Sequence, residues 1–378
     1  MKILFYCQSS IGIGHLTRTF KLASGLTDEH SVTVICGGYM PDALVIPSGI
    51  HLIKLPILLM SDTGTLETQR KGESVESAKF HRRKLIRKIV LSLQPDILII
   101  EMFPFGRKQF ADEIIDLINI ANAHLSMAGH DRSRTTVVAS IRDILVSRPN
   151  NQNIFDQRAV SWLNQYFDAL LIHSDPDLIS LAETFTAYSQ IEIPIHYTGF
   201  VSSSSRNKPN KRELLAVVSA GGGRVGEALV RTAMKAATQL KEVLGLRTII
   251  IAGPNSAISD FHSSGSYELV QFVDDFASLL TQATLSISQC GYNTATDVLA
   301  SDVAAVFVPY ETPKEDEQQR RADLLAARNR AICIRPGELT SERLVAAARQ
   351  ALELPSSMAV NLNGVTNTVQ ILEHYYGR

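Results

Sequence analysis

The fold is decided by residues 270–319, which read VQFVDDFASLLTQATLSISQCGYNTATDVLASDVAAVFVPYETPKEDEQQ. Two short apolar segments in this stretch, 285–288 and 304–308, have the length and composition of buried strands. Between them, residues 291–300 begin with a glycine and predict a tight turn that leads into a helix. The start of such a helix presents unpaired backbone N–H groups and the positive end of the helix dipole. The stretch therefore predicts a strand–turn–helix–strand unit with a phosphate or ribose site at the turn.

Polar side chains suited to sugar hydroxyls lie within and after this unit. Asp297 stands six residues after Gly291 inside the predicted helix, where its carboxylate is placed to meet a sugar diol. Pro309 ends the pairing of the second strand. The loop that follows carries four carboxylate and amide side chains, Glu315, Asp316, Gln318 and Gln319. Groups of this kind hydrogen-bond hydroxyls, and the stretch lacks the features of a hydride-transfer or phosphoryl-transfer site.

The pattern resembles the C-terminal half of GT-B glycosyltransferases, and most closely those of family 28. In that family a segment of the form F-[IV]-x-x-[MF] contacts the nucleotide base, and residues 272–276 here are FVDDF. The ribose-binding carboxylate of the family falls on Asp297, where the family usually has the longer Glu. Its paired glutamines, which hold the donor sugar, fall on Gln318 and Gln319. The resemblance is detailed over residues 214–335 and topological before them.

The resemblance also implies a site for the donor diphosphate. After the predicted strand 214–219, the glycines at 221–223 allow a backbone to approach an anion closely, and Arg224 adds a charge-assisted contact. In the family this turn meets the donor diphosphate. The predicted donor-binding residues are Gly12, Gly14, Gly222, Gly223, Arg224, Phe272, Val273, Gly291, Asn293, Thr294, Asp297, Gln318 and Gln319.

Length and composition set limits on the kind of protein. A chain of 378 residues is too long for one ordinary core, so two domains are expected. A net charge of −1 argues against binding to nucleic acid by counterion release. The four cysteines have no metal-ligand spacing, and we interpret them as reduced thiols packed in the interior. No apolar run reaches the length of a membrane span, and Met1 leads directly into a predicted strand, so a cytoplasmic protein is expected.

The N-terminal half predicts parallel strands that alternate with helices. A strand within KILFYCQSS, residues 2–10, is followed by the glycine turn IGIGH at 11–15 and a helix. The phosphate-loop fingerprint G-x-G-x-x-G is not met, because His15 follows the second glycine. Many GT-B enzymes carry such a G-x-G-H turn facing the interdomain cleft, so the resemblance implies a role for His15 in the acceptor half.

Glu101 ends the predicted strand 96–100, and a carboxylate there points towards the crevice in which parallel sheets bind ligands. Both His15 and Glu101 are therefore candidates for a general base, and the sequence leaves the choice open. Arg142 and Asp143 end another predicted strand, where they either line the cleft or form an internal pair.

Two further segments of this half have alternative interpretations. Residues 61–77 are polar, with two glycines, and predict a mobile loop near the cleft. Residues 79–93 predict a helix whose basic side, within 79–88, either contacts an anionic lipid or acceptor or is simply solvated. The solvated face is the commoner case, and the lipid contact would make the protein peripheral to the inner face of the membrane.

The expected fold is α/β and of the GT-B type, with two Rossmann-like domains facing each other across a cleft. The N-terminal acceptor domain is expected at 1–200, with the terminal helix 364–378 returning to it. A linker at 201–212 leads to the donor domain at 213–363.

The activity that the resemblance implies is inverting transfer of a sugar from a nucleotide diphosphate sugar, expected to be UDP-linked, to a hydroxyl. The acceptor is an unidentified small molecule or lipid-linked molecule. No metal and no further cofactor is expected, since glycine-turn and helix-terminal N–H groups can stabilise the departing diphosphate. The alternatives are a nucleotide-sugar 2-epimerase and, in another class, a non-catalytic nucleotide-sugar-binding protein.

Overall fold

The computed structural model describes residues 1–9, 13–41, 44–61, 65–127, 134–146, 151–202, 211–222, 225–253, 256, 263–312 and 315–377, with backbone alone at 124–127. The chain divides into two compact units. The first consists of Met1–Leu145, Pro149–Val201 and Asn363–Arg378, and the second of Ser202–Leu362 with Val146–Arg148. The boundaries expected from the sequence, near 200 and 364, fall beside these limits.

The first unit contains a parallel sheet and a small hairpin. Its strands are β1 (Lys2–Cys7), β2 (Ser31–Cys36), β3 (Ile50–Lys54), β4 (Leu58–Met60), β5 (Leu66–Thr68), β6 (Ile97–Glu101), β7 (Thr136–Arg142), β8 (Ala169–His173) and β9 (Ile195–Tyr197). Seven of them form one sheet in the order β3-β2-β1-β6-β7-β8-β9, with every pair parallel. The order reverses direction between β1 and β6, and ligands of such sheets bind at that point, beyond the carboxyl ends of the strands.

Helices cover both faces of this sheet. They are α1 (Gly14–Ser24), α2 (Val75–Leu93), α3 (Ala111–Met127), α4 (Gln152–Tyr166) and, from the end of the chain, α10 (Gly364–Tyr376). The strand residues that alternate along β1 and β6 pack on α1 and α10 on one face and on α2, α3 and α4 on the other. Both faces are buried, which explains the nearly continuous apolar runs of these strands.

The second unit repeats this architecture. Its strands are β10 (Glu213–Ser219), β11 (Arg247–Ile251), β12 (Tyr267–Val270), β13 (Ala283–Ser288), β14 (Ala304–Phe307) and β15 (Ile332–Cys333). Its helices are α5 (Glu227–Leu244), α6 (Phe276–Gln282), α7 (Tyr292–Ser301), α8 (Glu317–Ala327) and α9 (Ser341–Glu353). The parallel sheet has the order β12-β11-β10-β13-β14-β15, which is the dinucleotide-fold order 3-2-1-4-5-6 with its reversal between β10 and β13. The prediction of two Rossmann-like units is confirmed.

Helix α2 and the segment that leads into it, residues 61–77, each differ in one feature from the sequence prediction. The segment expected to be a mobile loop includes β5, which pairs antiparallel with β4, so it is partly a hairpin. Arg82 lies in the core rather than on the solvated basic side of α2. Its guanidinium donates to both carboxylate oxygens of Glu113, at 2.9 and 2.7 Å, and to the carbonyl oxygens of Gly37 and Pro56. A residue count along a helix cannot reveal such a buried partner.

Candidate active site

In the first unit, the two candidate bases meet at the reversal point of the sheet. Glu101 is the last residue of β6, and His15 is the second residue of α1, which follows β1. The Nδ1 atom of His15 lies 2.9 Å from Oε1 of Glu101. The strand order therefore brings together two residues that are 86 positions apart in the sequence.

Glu101 is buried and surrounded by hydrogen-bond donors. Arg18, one turn after His15 on α1, forms an ion pair with its Oε1 atom, and the Ser140 hydroxyl lies 3.0 Å from its Oε2 atom. Burial alone would raise the pKa of Glu101, but the charge of Arg18 and the hydrogen bond from His15 outweigh it and lower the pKa to about 2. The carboxylate is thus anionic at neutral pH and only accepts hydrogen bonds.

His15 is consequently held as a neutral imidazole with a defined tautomer. Burial and the positive charge of Arg107 lower its pKa to about 3, although the hydrogen bond to Glu101 opposes them, and Arg142 lowers it further. An anionic carboxylate can only accept, so the single imidazole hydrogen lies on Nδ1. The lone pair is therefore on Nε2. The side chain of His15 is 15% exposed, so it remains within reach of a ligand.

A row of polar side chains continues from Glu101 along the carboxyl ends of the neighbouring strands. The Ser140 hydroxyl, on β7, lies 2.9 Å from Nε2 of His173, the last residue of β8. The Nδ1 atom of His173 lies 2.8 Å from the hydroxyl of Thr198, just after β9. Ser140, His173 and Thr198 are all buried, and burial together with the charge of Arg18 lowers the pKa of His173 to about 3.

Sequence reasoning did not identify Arg18, Ser140, His173 or Thr198 as members of a site. A signal was present in the strands, because a serine and a histidine are unusual near the carboxyl ends of the apolar runs TVVASIR and ALLIH. Arg18 carried a weaker signal, since its spacing of three from His15 places both on one side of a helix.

In the second unit, the glycine turn after β10 packs against the end of β13. Gly221 has φ +61°, the left-handed region that glycine tolerates, and its N–H donates to the Ser219 hydroxyl at 3.3 Å. Gly226 fits because a Cβ there would lie 2.3 Å from that of Ala220. The Gln289 amide donates to the carbonyl of Val225 at 3.3 Å and so ties the turn to β13.

The loop between β13 and α7 is held by side chains of α8. The Gln318 side-chain oxygen accepts hydrogen bonds from the backbone N–H groups of Cys290 and Tyr310, both at 3.1 Å. Arg321 donates to the carbonyl of Cys290 at 2.7 Å and to Glu317 at 2.6 Å. Both backbone groups of Cys290 are thereby fixed, which positions the residue that begins α7.

Among the described residues of this unit, three helices begin without a side-chain cap. They are α5, α7 and α8, whose capping positions are Gly226, Gly291 and Asp316. The N–H groups of a first helical turn need acceptors, and a phosphate oxygen supplies them. A Cβ built on Gly291 would meet no atom of the described residues within 4 Å, so the start of α7 is open with respect to them. Asn293 and Thr294 lie in its first turn, and Asp297 lies one turn later and is 8% exposed.

The two predicted sugar-binding glutamines have different surroundings. Gln318 uses its oxygen for the backbone contacts described above. Gln319 is buried, and its Nε2 atom donates to Asp323 at 2.8 Å and contacts Sγ of Cys333 at 3.5 Å. Its Oε1 atom is buried and has no hydrogen-bond partner among the described residues. Gln319 thus presents an unsatisfied acceptor, whereas the acceptor of Gln318 is already used.

The remaining predicted residues are placed as follows. Phe272 and Val273 are half-buried between β12 and α6. Gly14 is the first residue of α1 and Gly222 lies in the turn after β10. Gly12, Gly223 and Arg224 lie outside the described residues. The described part of the chain has one group of side chains with metal-ligand chemistry, Glu29, His30 and Glu373, next to the start of β2 and hence at the other end of the sheet from His15.

Comparison with known proteins identifies the second unit. Residues 216–366 match the model of the glycosyltransferase family 28 C-terminal domain. The UDP-N-acetylglucosamine--N-acetylmuramyl-(pentapeptide) pyrophosphoryl-undecaprenol N-acetylglucosamine transferase of Synechocystis sp. is 22% identical over 92% of this chain and 87% of its own length. The enzyme of the same name from Exiguobacterium sp. is 30% identical, over 37% of this chain and 39% of its own. The chain is similar to the glycosyltransferases of family 28.

Solved structures agree on the fold of this family 28-like chain. MurG of Acinetobacter baumannii aligns over 99% of this chain and 100% of its own, with TM-score 0.57 and 16% identity. The calicheamicin glycosyltransferase CalG4 aligns over 100% and 98%, with TM-score 0.60 and 14% identity. The predicted GT-B fold is thus confirmed, and the family goes with glycosyl transfer from a nucleotide sugar rather than with the epimerase alternative.

Among the residues that the structure describes, no helix combines the length and the apolar character that crossing a bilayer requires.

Proposed function

We propose that this protein transfers a sugar from a UDP-sugar to an acceptor hydroxyl with inversion, and that His15 is the general base. The observation that carries the proposal is the 2.9 Å contact between His15 Nδ1 and the anionic Glu101. It directs the basic Nε2 atom of His15 away from Glu101, as a base oriented by a carboxylate requires. Glu101 itself is a poor base, since its pKa is about 2.

The acceptor hydroxyl would give its proton to Nε2 of His15 as its oxygen attacks the anomeric carbon of the donor. The bond from that carbon to the diphosphate breaks on the opposite face, and the configuration inverts. Glu101 stabilises the imidazolium that forms, and it keeps the ring in place. In this proposal His15 is the base and Glu101 the orienting carboxylate, a choice that the sequence had left open.

The second unit supports binding of the donor without a metal. The helix starts at Gly226 and Gly291, which have no side-chain cap among the described residues, offer N–H groups to a diphosphate. Asp297 is assigned to the ribose. The buried Oε1 of Gln319, for which the described residues supply no donor, is assigned to a sugar hydroxyl. The uracil base is inferred from the printed names of the relatives, which use UDP-N-acetylglucosamine.

The charges around His15 favour an acceptor that carries an anionic group. Arg107 and Arg142 both act on His15 electrostatically and lower its pKa. An acceptor phosphate or carboxylate beside these arginines would cancel part of that effect, so His15 would become a stronger base once the acceptor is bound. The Synechocystis relative has a pyrophosphoryl-linked acceptor according to its name.

The outer side of α2 supports a peripheral contact with anionic lipid. Phe80 is 59% exposed and Leu91 38% exposed, and four exposed basic residues share that side, Arg83, Lys84, Arg87 and Lys88. Exposed apolar groups among cations suit an anionic bilayer surface. In a sedimentation assay, phosphatidylglycerol vesicles should bind the wild-type chain. They should not bind a variant in which the four basic residues are changed to Glu. Equal sedimentation of both proteins would reject the contact.

The activity is tested by mass spectrometry after incubation with a panel of UDP-, dTDP- and GDP-sugars and a cell extract. Transfer predicts loss of one UDP-sugar, release of UDP and a new glycosylated molecule. Release of UDP with an epimerised sugar and no acceptor product would instead indicate an epimerase. Tight binding of a nucleotide sugar without any turnover would indicate a non-catalytic binding protein.

A further inference from the structure

Glu101 imposes one direction on the whole row of hydrogen bonds in the first unit. The carboxylate is anionic, so the Ser140 hydroxyl, 3.0 Å from Oε2, must donate its only hydrogen to it. Ser140 can then only accept at its 2.9 Å contact with His173. The hydrogen of the neutral His173 imidazole must therefore lie on Nε2.

The same reasoning extends to the far end of the row. With its hydrogen on Nε2, His173 has a lone pair on Nδ1, which accepts from the Thr198 hydroxyl at 2.8 Å. That hydroxyl also lies 3.0 Å from the carbonyl of Gly199, but only its donation to His173 agrees with the direction set at Glu101. The donors thus run from Thr198 to His173, from His173 to Ser140 and from Ser140 to Glu101.

Burial makes this direction permanent. Ser140 is 1% exposed, and His173 and Thr198 are 0% exposed, so water cannot offer these groups alternative partners. Reversing any one bond would leave two donors or two lone pairs facing each other inside the core. The carboxylate of Glu101 is therefore fixed through Oε2, with its Oε1 atom presented to His15.

We propose that Ser140, His173 and Thr198 are positioning residues for the sugar transfer, because they orient Glu101 so that His15 carries its hydrogen on Nδ1. A histidine in water favours the opposite tautomer, which would put a hydrogen on Nε2 and block it as a base. This inference rests on the proposed role of His15 as the base. It adds a function for three residues that do not touch a substrate.

The tautomer of His15 can be measured without knowing the substrate. Nitrogen NMR of the full chain labelled in histidine, with the His15 signal assigned by its loss in His15→Gln, should show hydrogen on Nδ1 at pH 7. Ser140→Ala should shift the signal towards the Nε2–H tautomer. Ser286→Ala is the matched control, since its hydroxyl is also buried in a strand but has no hydrogen-bond partner among the described residues.

His173 offers a second pair of variants in case Ser140→Ala does not fold. A Gln side chain can donate from the position of Nε2, so His173→Gln should keep the tautomer of His15. Asn is too short to reach Ser140, so His173→Asn should lose the Nδ1–H tautomer of His15. The proposal would be overturned if His15 carried its hydrogen on Nε2 in the wild-type chain. It would also be overturned if both Ser140→Ala and His173→Asn kept the wild-type tautomer of His15.

Kinetics separate this proposal from the proposed function. Once a donor and acceptor are found, Ser140→Ala should lower kcat by about 10- to 100-fold, with the KM for the donor unchanged. If His15→Ala keeps its turnover, the assignment of the base fails whatever the tautomer. If His15→Ala is inactive while Ser140→Ala and His173→Asn have wild-type kcat, the base stands and the positioning role is rejected.

Discussion

The side-chain oxygen of Gln318 lies 3.1 Å from the backbone nitrogen of Cys290 and joins the start of α8 to the loop that begins α7. A second N–H, from Tyr310 at the end of β14, donates to the same oxygen. One amide oxygen thus satisfies two backbone donors at the carboxyl edge of the sheet. The position of Gly291, and with it the open start of α7, depends on this contact.

Gln318→Ala should lower the free energy of unfolding by about 1–3 kcal/mol, because two backbone donors lose their acceptor. Gln318→Glu keeps an oxygen in place and should recover most of that loss. Urea denaturation of the two variants measures the difference. Equal stability of Gln318→Ala and the wild-type chain would show that water replaces the amide.

Asp297→Ala should weaken UDP binding by about 1–3 kcal/mol in calorimetric titration, since a charged acceptor for the ribose hydroxyls is removed. Asp302→Asn is the matched control, because Asp302 caps the other end of the same helix, away from the carboxyl edge. We expect its UDP affinity to equal that of the wild-type chain. Wild-type affinity in Asp297→Ala would remove the carboxylate from the ribose site.

His15→Ala should reduce turnover by about 10²–10⁴-fold while donor affinity, measured by titration, stays unchanged. Glu101→Gln should also lower turnover. A neutral amide no longer requires a donor from His15, and it leaves Arg18 without its carboxylate. Near-normal turnover in His15→Ala with an inactive Glu101→Gln would transfer the role of base to Glu101.

Stability should fall as the pH drops below 6.5 towards 3. The pKa of buried His173 is lowered from 6.5 to about 3, so in this range the unfolded chain binds a proton that the folded chain does not. Protons therefore favour unfolding. In His173→Gln this contribution is absent, so its free energy of unfolding should decline less between pH 7 and pH 4. Parallel curves for both proteins would show that His173 is protonated in the folded state.

Arg82→Ala should destabilise the first unit by about 3–5 kcal/mol, since it leaves the buried carboxylate of Glu113 without its cation. Arg83→Ala changes the next residue of α2, which is exposed, and should leave stability unchanged. Thermal denaturation compares the two. Similar melting temperatures would mean that Glu113 becomes protonated or solvated without cost.

The sequence predicted most of the fold because strand–helix alternation is a local signal. The apolar runs of β1, β6, β10 and β13 and the glycine turns after β1 and β10 were enough to predict two parallel sheets. The hairpin of β4 and β5 was missed, since β5 is only three residues long and lies in a polar segment. The burial of Arg82 was missed because its partner is far away in sequence.

The site was predictable only one residue at a time. His15 and Glu101 were each selected by their position at the end of a strand or turn, yet their contact depends on β1 and β6 being neighbours in the sheet. The proposed roles of base and orienting carboxylate rest on the donors around Glu101. Gln318 and Gln319 are adjacent in sequence, but the register of α8 gives one a backbone contact and the other a buried interior position.

The return of α10 to the first unit has a practical consequence for dissecting the protein. Val201 and Asn363 form an antiparallel bridge, so the chain leaves and re-enters the first unit at one point. A chain ended at Leu362 would lack a helix that buries Leu372 beside α1, although every strand of that sheet is present. Excision of residues 202–362 as a single cassette, with Val201 spliced to Asn363 through a short linker, preserves that layer.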